Sequence, residues 1–303
     1  MGTGAVSPAL SVIVATHDNR PVLTRCLEAW RRFARRQPVE LLVIEDGCTD
    51  GTVEYLRGVA GTDWGAIAVR VLHEDNVHEL MCTNRGFREA RASLIMSWHD
   101  DMFLGASWFV PELIAAFAAY PELGLLSLSR GLRCLPYDAP VRTFEDSIDW
   151  RRLQSTIGPA PFNWLRLYEV DAVMRPWVVR RACLDRVGLL DEAFRPTEWD
   201  EADLCYRIRG AGWKIATHGY ERDGAYEHLL STTLNRTPSE RRQAAALRNA
   251  LLFHERWDET IRREHDRHRG TWRRRLSAAA FAGTMGAMVR EMGRGRRAAP
   301  GAG

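Results

Sequence analysis

Four short apolar runs in the first hundred residues each lead directly into acids, and this repeat limits the chain more than any other feature. Leu10–Ala15 precedes Thr16-His17-Asp18, and Leu41–Ile44 precedes Glu45-Asp46-Gly47. Ala66–Leu72 precedes His73-Glu74-Asp75-Asn76, and Leu94–Trp98 precedes His99-Asp100-Asp101. Continuous apolar runs of this length read as parallel strands buried on both faces. Between them lie helix-like stretches: Pro21–Arg36, with Val22, Leu23, Cys26, Leu27 and Trp30 at helical spacing, then Thr52–Val59, then Thr83–Arg91. Further helix signals come at Glu201–Gly210 and Glu240–Glu255. Strand–helix alternation predicts a doubly wound α/β sheet flanked by helices. Ligands of such sheets bind outside the carboxyl ends of the strands, which is where these acids fall.

A length of 303 residues suits one α/β domain and a tail, and 46% hydrophobic with 27% charged residues is an ordinary soluble composition. The net charge of +3 gives no argument for nucleic acid. The six cysteines are scattered without a CxxC pair, which fits neither a disulfide framework nor a zinc site and suits a reducing compartment. The N-terminus lacks the basic and apolar regions of a signal peptide, and no run reaches the length of a membrane span. The expected location is therefore cytoplasmic. From Ile261 to Gly303 there are eleven Arg against Glu264, Asp266 and Glu291. Ser277–Val289, between two Arg clusters, is either an amphipathic segment on the inner face of an anionic membrane or a solvated basic helix. The expected boundaries are a loose N-terminus over 1–9, a domain over 10–260 and a basic helical tail over 261–303. Residues 10–101 are the expected nucleotide-binding half and residues 102–260 the acceptor half.

Three stretches carry chemistry. His99-Asp100-Asp101 ends a buried strand, and two adjacent acids there are costly unless paired or bound to a cation. Hard divalent ions take carboxylate oxygens and share their sites with substrate phosphates. The ordinary alternative is an acidic pair capping the next helix. Glu45–Thr52 is a strand-to-helix turn in which Asp46 is either a base-reading acceptor or a turn acid. Thr197–Arg207 packs acids around Trp199. A helix starting near Asp200 pairs Asp203 with Arg207 and puts Asp200 and Glu201 at its mouth, where they either take a proton or merely favour the helix dipole. His228 stands alone in sequence. No GxGxxG follows a strand, and GxxxxGK[ST], HExxH and GxSxG are absent, which argues against dinucleotide, P-loop, zinc-protease and serine-hydrolase chemistry.

Taken in order, SVIVATHDNRPVLTRCLEAW, EDGCTDGT, TNRGFREARASLIMSWHDD, VMRPWVVRRACLDRVGLLDEAF and DEADLCYRIRGAGWKI resemble the motifs of glycosyltransferase family 2 over about residues 10–230. The likeness implies a GT-A fold and an inverting, rhamnosyltransferase-like enzyme. It would use a nucleotide-sugar donor, a sugar, lipid-linked or small-molecule acceptor, and Mn²⁺ or Mg²⁺. It also implies roles: Thr16, Asp18, Asp46, Asn84 and Asp100 toward the donor, Asp101 and His228 on the metal, Glu201 with Asp200 as the base, and Trp199 and Arg175 toward the acceptor. The pattern is altered at several points. Asp18 replaces an Asn, His99 the first Asp of the metal motif, Thr83 an Arg, and Arg175 a Gly, while Asp200-Glu201 reverses the usual order. The alternatives are a sugar nucleotidyltransferase, whose Gly-rich first loop is missing, and a non-catalytic scaffold binding lipid or protein through the tail.

Overall fold

The computed structural model describes residues 7–59, 62–129, 131–136, 155–159, 166–196, 198–217, 226–229 and 240–275. The chain divides into a unit ending at Arg256 and a unit beginning at Trp257, whose described residues are helical. The expected tail segment Ser277–Val289 lies outside the described residues. So does most of Pro136–Asn163.

In the first unit β1 (Leu10–Thr16) and β2 (Val39–Asp46) are almost wholly buried, as their Leu, Val and Ile content dictates. β3 (Ala68–Glu74) pairs with β2, and β4 (Leu94–His99) with β1, all in parallel. The right-handed crossovers this requires run through α1 (Arg20–Ala34), α2 (Thr52–Val59) and α3 (Glu79–Glu89). Helix α1 starts with Pro21 in its first turn, where a missing N–H costs nothing. It buries Leu23, Cys26, Leu27 and Trp30. The doubly wound sheet expected from the first third is therefore present.

Helix α3 begins at Glu79, four residues before the expected start at Thr83. The cause is long-range. Asp46 at the end of β2 accepts the backbone N–H groups of Val77 (2.7 Å) and His78 (2.8 Å), so the turn is pinned and the helix starts at once. Asn76 and His78 take left-handed backbone angles to make that turn.

The second half adds antiparallel partners and one further parallel pair. β6 (Leu123–Ser127), β11 (Trp177–Arg180), β12 (Lys214–Thr217), β9 (Arg166–Glu169) and β8 (Ser155–Pro159) extend the sheet to the order β3-β2-β1-β4-β11-β6-β12-β9-β8. β11 lies antiparallel between β4 and β6, and β12 pairs with β6 in parallel. A separate ribbon joins β5 (Met102–Leu104) to β13 (Tyr226–His228). Under that ribbon the Trp98 ring meets Trp30, Phe109 and Tyr226 edge-on at centroid distances of 5.2, 6.0 and 5.6 Å. Trp98 Nε1 also donates to the Met102 carbonyl at 3.0 Å, so its polar edge is satisfied. Helices α4 (Phe109–Ala119), α5 (Arg181–Val187) and α6 (Asp200–Gly210) cover this half. Helix α7 runs over Glu240–Arg275. All six cysteines are free thiols.

Gly86 explains one fixed letter of the sequence. A Cβ there would lie 2.5 Å from Ile13 Cγ2 on β1, so only glycine lets α3 approach the sheet this closely. Gly86→Ala should destabilise the chain by about 1–3 kcal/mol through overpacking, read as a lower urea midpoint at unchanged slope.

Candidate functional site

The carboxyl edge gathers side chains from β1, β4, β11, β13, α3 and α6. Thr16 and His99 end neighbouring parallel strands, with Ala15 in register with His99. That register places Thr16 Oγ1 to donate to Asp100 Oδ2 at 2.7 Å, and Asn19 Nδ2 adds a second donor at 3.1 Å. Burial pushes the Asp100 carboxyl up to about 6, against the pull of these two bonds.

Asp101 is buried next, and the β5–β13 ribbon brings it a partner from far along the chain. Leu229 N–H donates to the Asp101 carbonyl at 3.1 Å. His228 Nε2 then stands 3.3 Å, and His99 Nδ1 3.8 Å, from Asp101 Oδ1. One ligand atom from each of His99, Asp101 and His228 lies within 4.8 Å of the others. Two imidazoles and a carboxylate are a donor set for a divalent transition-metal ion, and the three residues present fit one. His99 was expected only as a replaced Asp. It joins the cluster because it occupies that same strand-end position.

The other ring nitrogen of His99 lies 3.0 Å from Glu79 Oε1. Burial disfavours a charged imidazole here, but Glu79 and then Asp101 outweigh it, so the His99 pKa is raised. Glu79 Oε1 also accepts from Arg175 Nη1 at 2.6 Å. Arg175 Nε donates to Ser97 Oγ at 2.6 Å and lies 3.0 Å from Glu201 Oε1, while Nη2 is 4.0 Å from Asp200 Oδ2. Ser97 and Trp177 are register partners across β4 and β11, and Trp177 Nε1 donates to Glu201 Oε1 at 2.9 Å. Nothing in the local sequence marks Glu79, Ser97 or Trp177, because their partners come from other elements.

Asp200 and Glu201 open α6, after two left-handed residues, Glu198 and Trp199, that turn the chain into the site. The turn is held from outside. Asn249 Nδ2 donates to the Phe194 carbonyl at 2.6 Å and the Glu198 carbonyl at 3.2 Å. Arg207 Nε meets Asp203 Oδ2 at 2.7 Å, the expected helical pair.

After β1, Asp18, with φ +47°, accepts the Thr49 N–H at 2.6 Å. His17 Nδ1 lies 2.6 Å from the Asp46 carbonyl. Asp46 itself has both oxygens on backbone N–H groups, so it organises the turn before α3. Three expectations differ from the observed placement. Asn84 is buried, and both ends of its amide pair with the Leu190 backbone at 2.8 and 3.0 Å, which makes it a brace between α3 and the loop after α5. Trp199 was expected to face an acceptor, yet only 3% of it is exposed. Its ring packs on Phe253 and His254 at 4.8 and 5.4 Å. Arg175 was also expected toward the acceptor, but its guanidinium lies inside the ion-paired web just described.

Residues 11–130 match the family model described as glycosyl transferase family 2. Among curated proteins, the uncharacterized protein y4gI of Sinorhizobium fredii is 23% identical over 217 residues, covering 68% of this chain and 23% of its own length. Among solved structures, S. aureus TarS matches with a TM-score of 0.50 at 15% identity, over 72% of this chain and 36% of its own. GalNAc-T7 with UDP, GalNAc and Mn²⁺ matches with a TM-score of 0.53 at 15% identity, over 70% of this chain and 42% of its own. This chain thus spans under half the length of each of these proteins, and the two structures share its fold, a GT-A α/β sheet.

The buried Asp200 gives a pH test. Burial raises its pKa to about 7, with Arg175 opposing and Glu201 adding to the rise. The folded chain then keeps a proton that the unfolded chain releases near pH 4, so this group's contribution to stability falls between about pH 4 and 7. Asp200→Asn removes that loss. Its melting temperature relative to wild type should be higher at pH 8 than at pH 5, measured by differential scanning fluorimetry.

Proposed function

We propose that this chain, whose residues 11–130 match the family model described as glycosyl transferase family 2, transfers a sugar from a nucleoside-diphosphate sugar to an acceptor hydroxyl, with inversion at the anomeric carbon. The observation that carries this reading is one continuous constellation. The His99, Asp101 and His228 donor cluster is linked by Glu79 and Arg175 to a carboxylate at the mouth of α6. A cation cradle and a proton acceptor in one web are the two parts that displacement of a nucleoside diphosphate needs.

His99, Asp101 and His228 are the residues assigned to hold the ion. When bound, it supplies positive charge against the diphosphate leaving group. The mixed nitrogen and oxygen donors favour Mn²⁺ over Mg²⁺, which prefers oxygen and water. The GalNAc-T7 structure, which contains UDP and Mn²⁺, is consistent with this assignment. Thr16, Asp18 and Asp100 are assigned to the donor, with Asp100, which accepts from the Thr16 hydroxyl, toward the ribose, and Asp46 is assigned to hold the turn behind them. Glu201 is assigned the base. Its side chain is 15% exposed against 4% for Asp200, so it reaches an acceptor where Asp200 does not. Rhamnose is one candidate sugar, and saccharide, lipid-linked and small-molecule hydroxyls are the candidate acceptors.

Among the described residues no helix is long and apolar enough to cross a membrane. Peripheral contact through the Arg-rich tail is part of the proposal. The full chain should co-sediment with anionic vesicles more strongly than residues 1–260, and equal sedimentation removes the tail as an anchor.

A thermal-shift panel of UDP-, dTDP- and GDP-sugars, with and without Mn²⁺, tests the main reading. One nucleotide class at about 100 times its dissociation constant should stabilise the wild type by about 2.7 kcal/mol. Asp101→Ala should lose the metal-dependent part of that shift. Glu201→Gln should keep it while transfer falls about 10²–10⁴-fold, the range for a general base. A shift with no donor, together with no transfer, would favour the scaffold reading.

A further inference from the structure

We infer that Arg175 is a positioning residue of the transfer reaction, which fixes the Glu201 carboxylate at the mouth of α6 and ties it through Glu79 to the His99 side of the cation cradle. The inference rests on the reading above and concerns a position where the resembling family carries glycine. It replaces the acceptor role expected from sequence with one set by geometry.

The Arg175 side chain is 8% exposed, and its partners belong to three elements. Ser97 on β4 and Glu201 on α6 both face Nε, at 2.6 and 3.0 Å, and Glu79 on α3 takes Nη1 at 2.6 Å. Asp200 follows at 4.0 Å from Nη2. A guanidinium is planar and presents its donors at fixed angles, so one residue sets the mutual positions of strand and helices. A buried arginine among acids is ordinarily only a counter-charge. Here the placement of the acids says more, because Glu201 and Asp200 open the helix that faces the site and Glu79 touches His99.

The state of Glu201 itself points the same way. Its Oε1 is held by Trp177 Nε1 at 2.9 Å and faces Arg175 Nε at 3.0 Å. Among the described residues no donor is bonded to Oε2, so one oxygen is anchored and the other is left to take a proton. A proton acceptor works only when held in reach of the proton it abstracts. Without the guanidinium the carboxylate keeps one donor, Trp177, and loses its lateral restraint.

The test uses the full chain and three variants: Arg175→Lys, which keeps the charge but not the fork, Arg175→Met, and Glu201→Gln. Transfer is measured from UDP-, GDP- and dTDP-sugars with Mn²⁺. Arg175→Lys should stay folded with donor KM within threefold of wild type, while kcat falls at least tenfold. A residue that merely supports the fold would not split the constants in this way. In a ligand-free melting cycle, the double variant Arg175→Met/Glu201→Gln should lose less than the two single losses together. Wild-type kcat in Arg175→Lys, or additive melting shifts in the cycle, overturns the inference. A wild type that turns over none of these donors overturns the transferase reading and the reaction role with it. The melting cycle still decides separately whether Arg175 and Glu201 are coupled.

Discussion

Carboxylates cannot be drawn out of water beside one another unless cations stand among them or one of them keeps a proton, and the carboxyl edge of this sheet draws four together. Glu79 comes from α3, Asp101 from the turn between β4 and β5, and Asp200 and Glu201 from the start of α6. Against them the described residues set one guanidinium, Arg175, and two imidazoles, His99 and His228. That balance leaves the edge rich in negative charge. It is why the site reads as a place for a divalent ion and for chemistry that needs a proton acceptor. Replacing Arg175 by an apolar residue would strand three acids, which is far costlier than losing a surface pair.

The scaffold supplies the register rather than the chemistry. Parallel pairing of β1 with β4 sets Thr16 against Asp100, and antiparallel pairing of β4 with β11 sets Ser97 beside Trp177. The β5–β13 ribbon returns His228 to Asp101. The least regular backbone lies where the chain enters the site. Asp18, Asn76, His78, Glu198 and Trp199 all have positive φ, and each sits at a turn leading into or out of the edge. Such angles persist only where surrounding contacts hold them, here by Thr49, by Asp46 and by Asn249.

The parts that could be read from sequence were the local ones. Continuous apolar runs located the four strands of the first half, and Thr52–Val59 became α2 without a change of boundary. The strand-end acids marked the edge itself. The short strands of the second half were not readable: β7 (Gly131–Leu132) and β10 (Ala172–Val173), two residues each, carry no periodicity. The site positions whose surroundings sequence did not reveal share one trait. Asn84, Trp199 and Arg175 sit in motif positions, but each spends its polar or aromatic surface on a distant element, Leu190, Phe253 or Glu79. Residue type and spacing do not encode such partners.

The most direct test of this account is pulsed electron paramagnetic resonance on Mn²⁺ bound together with UDP. If His99, Asp101 and His228 hold the ion, the echo should carry nitrogen modulation from imidazole, and His228→Ala should weaken it. Manganese that binds with no nitrogen coupling, or with coupling unchanged in His228→Ala, would contradict the assignment of the cation to this edge.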